Sequence, residues 1–277
     1  MATFTAVGPA FDLDGPLPVA PEHSLLMTEG VVAERDATRV LNGVNVYSYP
    51  AGCPSLWEPC SEGTFRLKSS TSDWPLPRFD SFVVYQVISC SAMSIGDPEE
   101  FSNRATVVLD ATLSAGVEEG ISQGVAGSSN PFFGDADVDL VNGTTAVSPG
   151  VGLSYLENAI GGTCRRGMIH LTPPVVSGLQ AFPLGGDSRL VTANGTPVVS
   201  GDGYLGARPS GAPGPGATES WVFATGPVRV YLGPVAMTQV RDSIDTAQND
   251  VVFRAEQYVL AVWDTVLQAA VLVDWAS

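Results

Sequence analysis

An α+β fold is predicted, and three stretches predict it. Ser81–Cys90 is rich in β-branched and aromatic residues, so it reads as a strand. Residues 98–120 repeat apolar side chains at three- and four-residue steps, the signature of a helix with one buried stripe. The chain then closes on two long sheet-like runs, Val251–Trp263 and Leu267–Trp275, joined by a turn near Asp264-Thr265. With 277 residues and 44% hydrophobic content the chain has enough apolar material for one large core or two modest ones.

In chain order, residues 1–30 carry Pro9, Pro16, Pro18 and Pro21 among glycines, which excludes a long helix or a central strand. An extended arm lying on something else is expected. Residues 42–79 set Tyr47, Tyr49, Trp57, Phe65, Trp74 and Phe79 among five prolines, a long stretch for a connection within a domain. Val44–Tyr47 and Thr64–Leu67 alternate as the two legs of a long hairpin would, and the aromatics suggest burial against a partner subunit.

The long helix should begin with Asp97 as cap, Pro98 first, and Glu99 and Glu100 at its positive end. Its buried stripe is expected to be Phe101, Ala105, Val108, Leu109, Thr112 and Val117, ending about Gly120. Residues 124–147 read as loop. Ser148 and Pro149 then start a second helix through Val151–Ile160, stopped by Gly161-Gly162.

A small α+β unit spans residues 168–232. It has an apolar run Met168–Leu171 and a brief helix capped by Thr172, begun by Pro173 and stopped by Gly185-Gly186. Arg189–Thr192 and Pro197–Ser200 follow across an Asn194-Gly195 turn. Trp221–Thr225 and Val228–Leu232 make another pair of runs, broken by Gly226-Pro227. Residues 233–249 read as a connector, and the Ser81–Cys90 strand is the expected partner of the terminal strands.

Charge narrows the function. Thirteen basic residues stand against 29 acidic ones, a net charge of −16, and Lys68 is the only lysine. Phosphate affinity comes from clustered Lys and Arg, so a nucleic-acid-binding surface is disfavoured. No run reaches transmembrane length, no secretory signal opens the chain, and a processed leader is not expected. Cys53 and Cys60 have six residues between them, while Cys90 and Cys164 stand alone, which is no metal-ligand pattern. Buried free thiols are expected, with a Cys53–Cys60 disulfide as the alternative.

Each motif that resembles chemistry fails on its context. Gly201-Asp202-Gly203-Tyr204-Leu205-Gly206 has the dinucleotide spacing, but Arg208-Pro209-Ser210-Gly211 follows and no helix starts to face a pyrophosphate. Gly120-Ile121-Ser122-Gln123-Gly124 has the nucleophile-elbow spacing, but it follows a helix where an elbow needs a strand. Of the two histidines, His23 and His170, the latter falls in a predicted strand as a structural residue. Asp135, Asp137 and Asp139 begin like a calcium loop that breaks at Leu140 and Ala146. Asn142-Gly143-Thr144 and Asn194-Gly195-Thr196 match glycosylation acceptors but read as turns. No catalytic, cofactor-binding or metal site is assigned, and no enzyme is expected.

The order of arm, long hairpin, strand, long helix, α+β unit and terminal strands resembles the HK97-fold major capsid proteins of tailed bacteriophages, and the encapsulins that share the fold. The phrases MIHLTPPVVSGLQAF, GTPVVSGDGYLG with WVFATGPVRVYLG, and VVFRAEQYVLAVWDTVLQAAVLVDWA look like actinobacteriophage capsid sequences. The resemblance implies an N-arm over residues 1–33 and an E-loop region over 34–79. It implies a peripheral domain over 80–145 and 233–277, with a spine helix at about 97–120, and an axial domain over 146–232. The Arg208–Ala217 loop would meet its copies at a symmetry centre. Pentamers and hexamers around double-stranded DNA follow from it, without sequence-specific binding and without a membrane. A separate scaffold protein is expected, because no N-terminal scaffolding extension is visible, together with a portal and a decoration protein. Some relatives crosslink subunits through an E-loop lysine, a role open to Lys68. An encapsulin-type shell around a cargo protein is the alternative.

Overall fold

The computed structural model describes residues 16–40, 42–46, 77–91, 98–179, 190–239 and 250–277. Two sheets and two principal helices carry the fold. The first sheet has the order β1 (Val32–Arg35), β9 (Val228–Gln239), β10 (Asp250–Trp263), β4 (Phe82–Ser91). The second has the order β5 (Asp139–Leu140), β11 (Gln268–Asp274), β8 (Glu219–Thr225), β6 (Met168–Leu171), β7 (Val198–Ser200). A two-stranded pair joins β2 (Val44–Asn45) to β3 (Arg78–Phe79).

β10 is the longest strand and lies antiparallel to both neighbours. Its register with β4 is unbroken from Asp250–Ser91 to Val259–Phe82, which meets the expected pairing. On its other side β9 runs past Leu232 to Gln239, pairing Ala236 with Glu256 and Thr238 with Arg254. The first part of the expected 233–249 connector is therefore strand. Gly233 and Pro234 fall at a register shift between the Leu232–Val259 and Val235–Gln257 pairs, the bulge position where a strand tolerates them.

Pro98–Gln123 (α1) crosses β10 and β4. Ala105, Leu109, Leu113, Val117 and Ile121 are buried on it. Thr112, expected in the stripe, is exposed and returns its hydroxyl to the Val108 carbonyl at 2.8 Å. The helix passes Gly120 because Ile121 and Ser122 are themselves buried. Asp97 and the Thr64–Leu67 leg lie outside the described residues, and the partner of β2 is Arg78–Phe79.

Pro149–Gly162 (α2) seats Leu156 and Ile160 against Val271, Val273, Val222 and Ala224 of the second sheet. Pro173–Gly178 (α3) is one short helix that ends before the Gly185-Gly186 stop. Ser148 and Thr172 take the extended cap backbone, ψ 155° and 152°, but neither hydroxyl caps its helix. The 194–195 turn forms with Gly195 at φ 80° and a Val191–Pro197 bridge, after which β7 leaves to run parallel to β6.

Two direct strand-to-strand connections carry the chain between the sheets. β8 leads through Gly226-Pro227 into β9, and β10 leads through Asp264 into β11, each passing from one sheet to the other. The crossings touch: a Cβ at Gly226 would stand 2.7 Å from the Asp264 Cβ. Arg165, in the turn after α2, reaches Asp264 at 2.7 Å. Aromatic rings fill the seam, with Trp263 edge-on to Phe79 at 4.8 Å and to Phe133 at 5.1 Å.

Candidate functional site

His170 shows how polar residues are used here. Its ring is fully buried on β6, with Tyr204 Oη 3.0 Å from Nδ1 and Thr225 Oγ1 2.9 Å from Nε2. The Thr225 hydroxyl donates its one proton to the Gly226 carbonyl at 2.8 Å, so it accepts from Nε2–H. Nδ1 then accepts the Tyr204 O–H, and the ring is neutral with both nitrogens satisfied. Burial lowers its pKa to about 3. A ring that burial keeps neutral, with both nitrogens bonded to β8 and to the Gly201–Gly206 turn, anchors the seam.

The other motifs sit where their sequence context puts them. Ser122 lies in the last turn of α1 with its hydroxyl on the Gly203 carbonyl at 3.4 Å, so it is no elbow nucleophile. Gly201–Gly206 forms a three-residue 3-10 turn, Asp202–Tyr204, packed on α1. Asp135 turns its carboxylate onto the Ala136 N–H at 2.7 Å. Among the described residues no three His, Cys, Asp or Glu side chains group to hold a metal, and no helix is long and apolar enough to cross a membrane. Asn142 bonds the Thr145 carbonyl across its own turn, and Asn194 is exposed at a hairpin tip.

Cys164 corrects an expectation. It is exposed, holds φ 54°, and is disulfide-bonded, where a buried free thiol was expected. Cys53, Cys60 and Lys68 lie outside the described residues.

The Arg208–Ala217 loop is tied to the fold at Ser210 and at Pro213. The Ser210 N–H donates to the Gly134 carbonyl at 2.6 Å, and Trp221 Nε1–H to the Pro213 carbonyl at 3.2 Å.

The surface feature with the clearest use is one face of the first sheet. In register, Val83 opposes Tyr258, Tyr85 opposes Glu256 and Val87 opposes Arg254. Val83, Tyr85, Val87 and Tyr258 are all exposed, Tyr85 to 62%, while the opposite face is covered by α1. Arg254 and Glu256 pair at 3.0 Å among them. An apolar row edged by one ion pair, lying across β10 and β4, which is the edge strand of this sheet among the described residues, is a surface built to be covered. The alternation in SFVVYQVISC marks β4 as a strand, but not which face α1 would leave open.

No family model and no curated relative matches the sequence. Solved structures do. A chain from Mycobacterium phage Ogopogo superposes with a TM-score of 0.54 at 12% identity, covering 96% of each chain. A chain from the capsid of an empty GTA particle gives 0.53 at 15%, covering 98% of this chain and 96% of that one. A chain from Gordonia phage Cozz gives 0.51 at 14%, covering 98% and 91%. With nearly the whole length matched at such low identity, the fold of this chain is the HK97-type capsid fold.

Proposed function

We propose that this chain is the major capsid protein of a tailed bacteriophage, a structural protein that self-assembles into pentamers and hexamers of an icosahedral head around double-stranded DNA. The observation that supports it most is the capsid-type fold over 96% or more of the chain, including likeness to a chain of a GTA capsid. In this reading residues 1–33 are the N-arm and 34–79 the E-loop region. Residues 80–145 and 233–277 form the peripheral domain, and 146–232 the axial domain. The exposed row of Val83, Tyr85, Val87 and Tyr258 meets a neighbouring copy. The chain's work is then association, and its polar network serves the fold.

The net charge of −16 suits an inner wall that must release DNA during packaging. A scaffold protein and a portal are the partners this role calls for, with a decoration protein as an optional addition, assembly in the host bacterial cytoplasm and residence in the virion. The encapsulin alternative has less support, since the matched chains come from phages and a GTA particle.

Light scattering and negative-stain microscopy of the purified chain test the proposal. Megadalton closed particles or capsomers are expected. A monomer at every concentration and salt condition would overturn it.

A further inference from the structure

The helix α1 carries a buried polar column at one-turn spacing: Ser114, Glu118 and Ser122. Glu118 is 0% exposed, and three donors converge on its carboxylate. The Leu25 N–H reaches Oε1 at 2.8 Å, the Ser114 hydroxyl reaches Oε1 at 3.1 Å, and the Gly203 N–H reaches Oε2 at 3.1 Å. Ser114 in turn accepts the Leu26 N–H at 3.1 Å. One side chain therefore holds an N-terminal segment 93 residues away and a loop 85 residues away.

The two held pieces also touch each other, since the Ser200 N–H donates to the His23 carbonyl at 2.9 Å. The glycines of the 201–206 motif make the approach possible. A Cβ at Gly201 would collide with Glu118 Oε2, and one at Gly203 with the Ala115 carbonyl. The motif that has dinucleotide spacing in the sequence is thus a seat for a carboxylate.

A buried carboxylate is costly unless its oxygens are filled by donors. Burial already raises the Glu118 pKa despite three hydrogen bonds, and Asp202 adds to the rise. Removing any one donor increases the cost of keeping the group inside, which weakens its hold on the others. We propose that Glu118 is a coupling device that makes docking of the N-terminal segment around Leu25 and seating of the Gly201–Gly206 loop on α1 one cooperative event. Loosening either piece loosens the other, by the same factor in each direction. The coupling acts within one chain and stands independently of what the chain assembles into.

Hydrogen exchange on the full chain tests it, with Gly203→Ala entering from the loop side, where its Cβ meets the Ala115 carbonyl and the Glu118 Cβ, and Ser114→Ala entering from the N-terminal side, where it removes the bond to Leu26 and one donor to Glu118 Oε1. Gly203→Ala is expected to speed exchange tenfold or more both at residues 201–207 and at 24–28. Ser114→Ala is expected to do the same at 24–28 and to carry over to 203–207. Ser114→Ala deletes one hydroxyl without adding bulk, so it keeps the test available if Gly203→Ala does not fold. Leu156→Ala, in the separate core under α2, is the control for general destabilisation. Exchange that rises only on the mutated side would overturn the proposal, as would a Leu156→Ala profile that opens both segments equally.

Discussion

Tyr85→Ser separates folding from association. Tyr85 is 62% exposed on β4, and its cross-strand partner Glu256 lies on the same outer face. A tyrosine buries about 150–250 Å² when fully covered, so roughly 100–150 Å² of it remains to be buried by a neighbour. At about 25 cal/mol per Å² that surface is worth roughly 2.5–4 kcal/mol, an upper figure. Ordering the side chain at the interface costs about 0.5–1.5 kcal/mol of it. A net loss of about 1–3 kcal/mol per contact follows, tenfold in association for every 1.4 kcal/mol. The isolated subunit loses little, within about 0.5 kcal/mol, because the substituted surface is open to water before and after folding. The assay is a concentration series by light scattering, with circular dichroism melts of the unassembled subunit alongside. The expected result is an assembly threshold raised about tenfold or more at an unchanged melt. A threshold equal to wild type would refute the assignment of this face to a neighbouring copy.

His170→Asn changes the acid limb of stability. Below about pH 6.5 the unfolded chain takes up a proton that the buried native ring refuses until about pH 3, so the native state loses about 1.4 kcal/mol per pH unit in that window. Urea unfolding at pH 7 and 4.5 should show a wild-type drop about 2–3 kcal/mol larger than the variant's. Glu118 contributes the opposite sign in both proteins, its raised pKa favouring the native state as pH falls, and cancels in the comparison. Deleting residues 50–76 should leave a folded subunit that forms no shells; normal particles would remove the E-loop assignment. For Lys68, denaturing gels of mature particles decide: a ladder of linked subunits marks a crosslink, and a plain monomer band ends the idea.

Local chemistry made much of the chain legible in advance. Pro98 with Glu99 and Glu100 starts α1, Pro149 starts α2, and the β-branched runs at 81–90 and 251–263 are the strands that pair. Such signals act within a few residues, and a sequence records them directly. The failures of the GxGxxG and GxSxG motifs were readable for the same reason, since each requires a particular neighbour in the chain. Connectivity between sheets was not readable. Gly226-Pro227 and Asp264-Thr265 look like turns between adjacent strands, yet each sends the chain to the other sheet, because β8 and β11 pair with each other rather than with β9 and β10. Glu118 is the clearest case. A glutamate on a helix is normally a solvated residue. Only the arrival of the Leu25 and Gly203 N–H groups from distant parts of the chain fills its oxygens and lets it be buried. Sequence alone marked the helices and the long strands, but read residues 233–239 as a connector. The tertiary structure decided which face of β4 stays open and which carboxylate goes inside, because both depend on contacts between residues scores of positions apart.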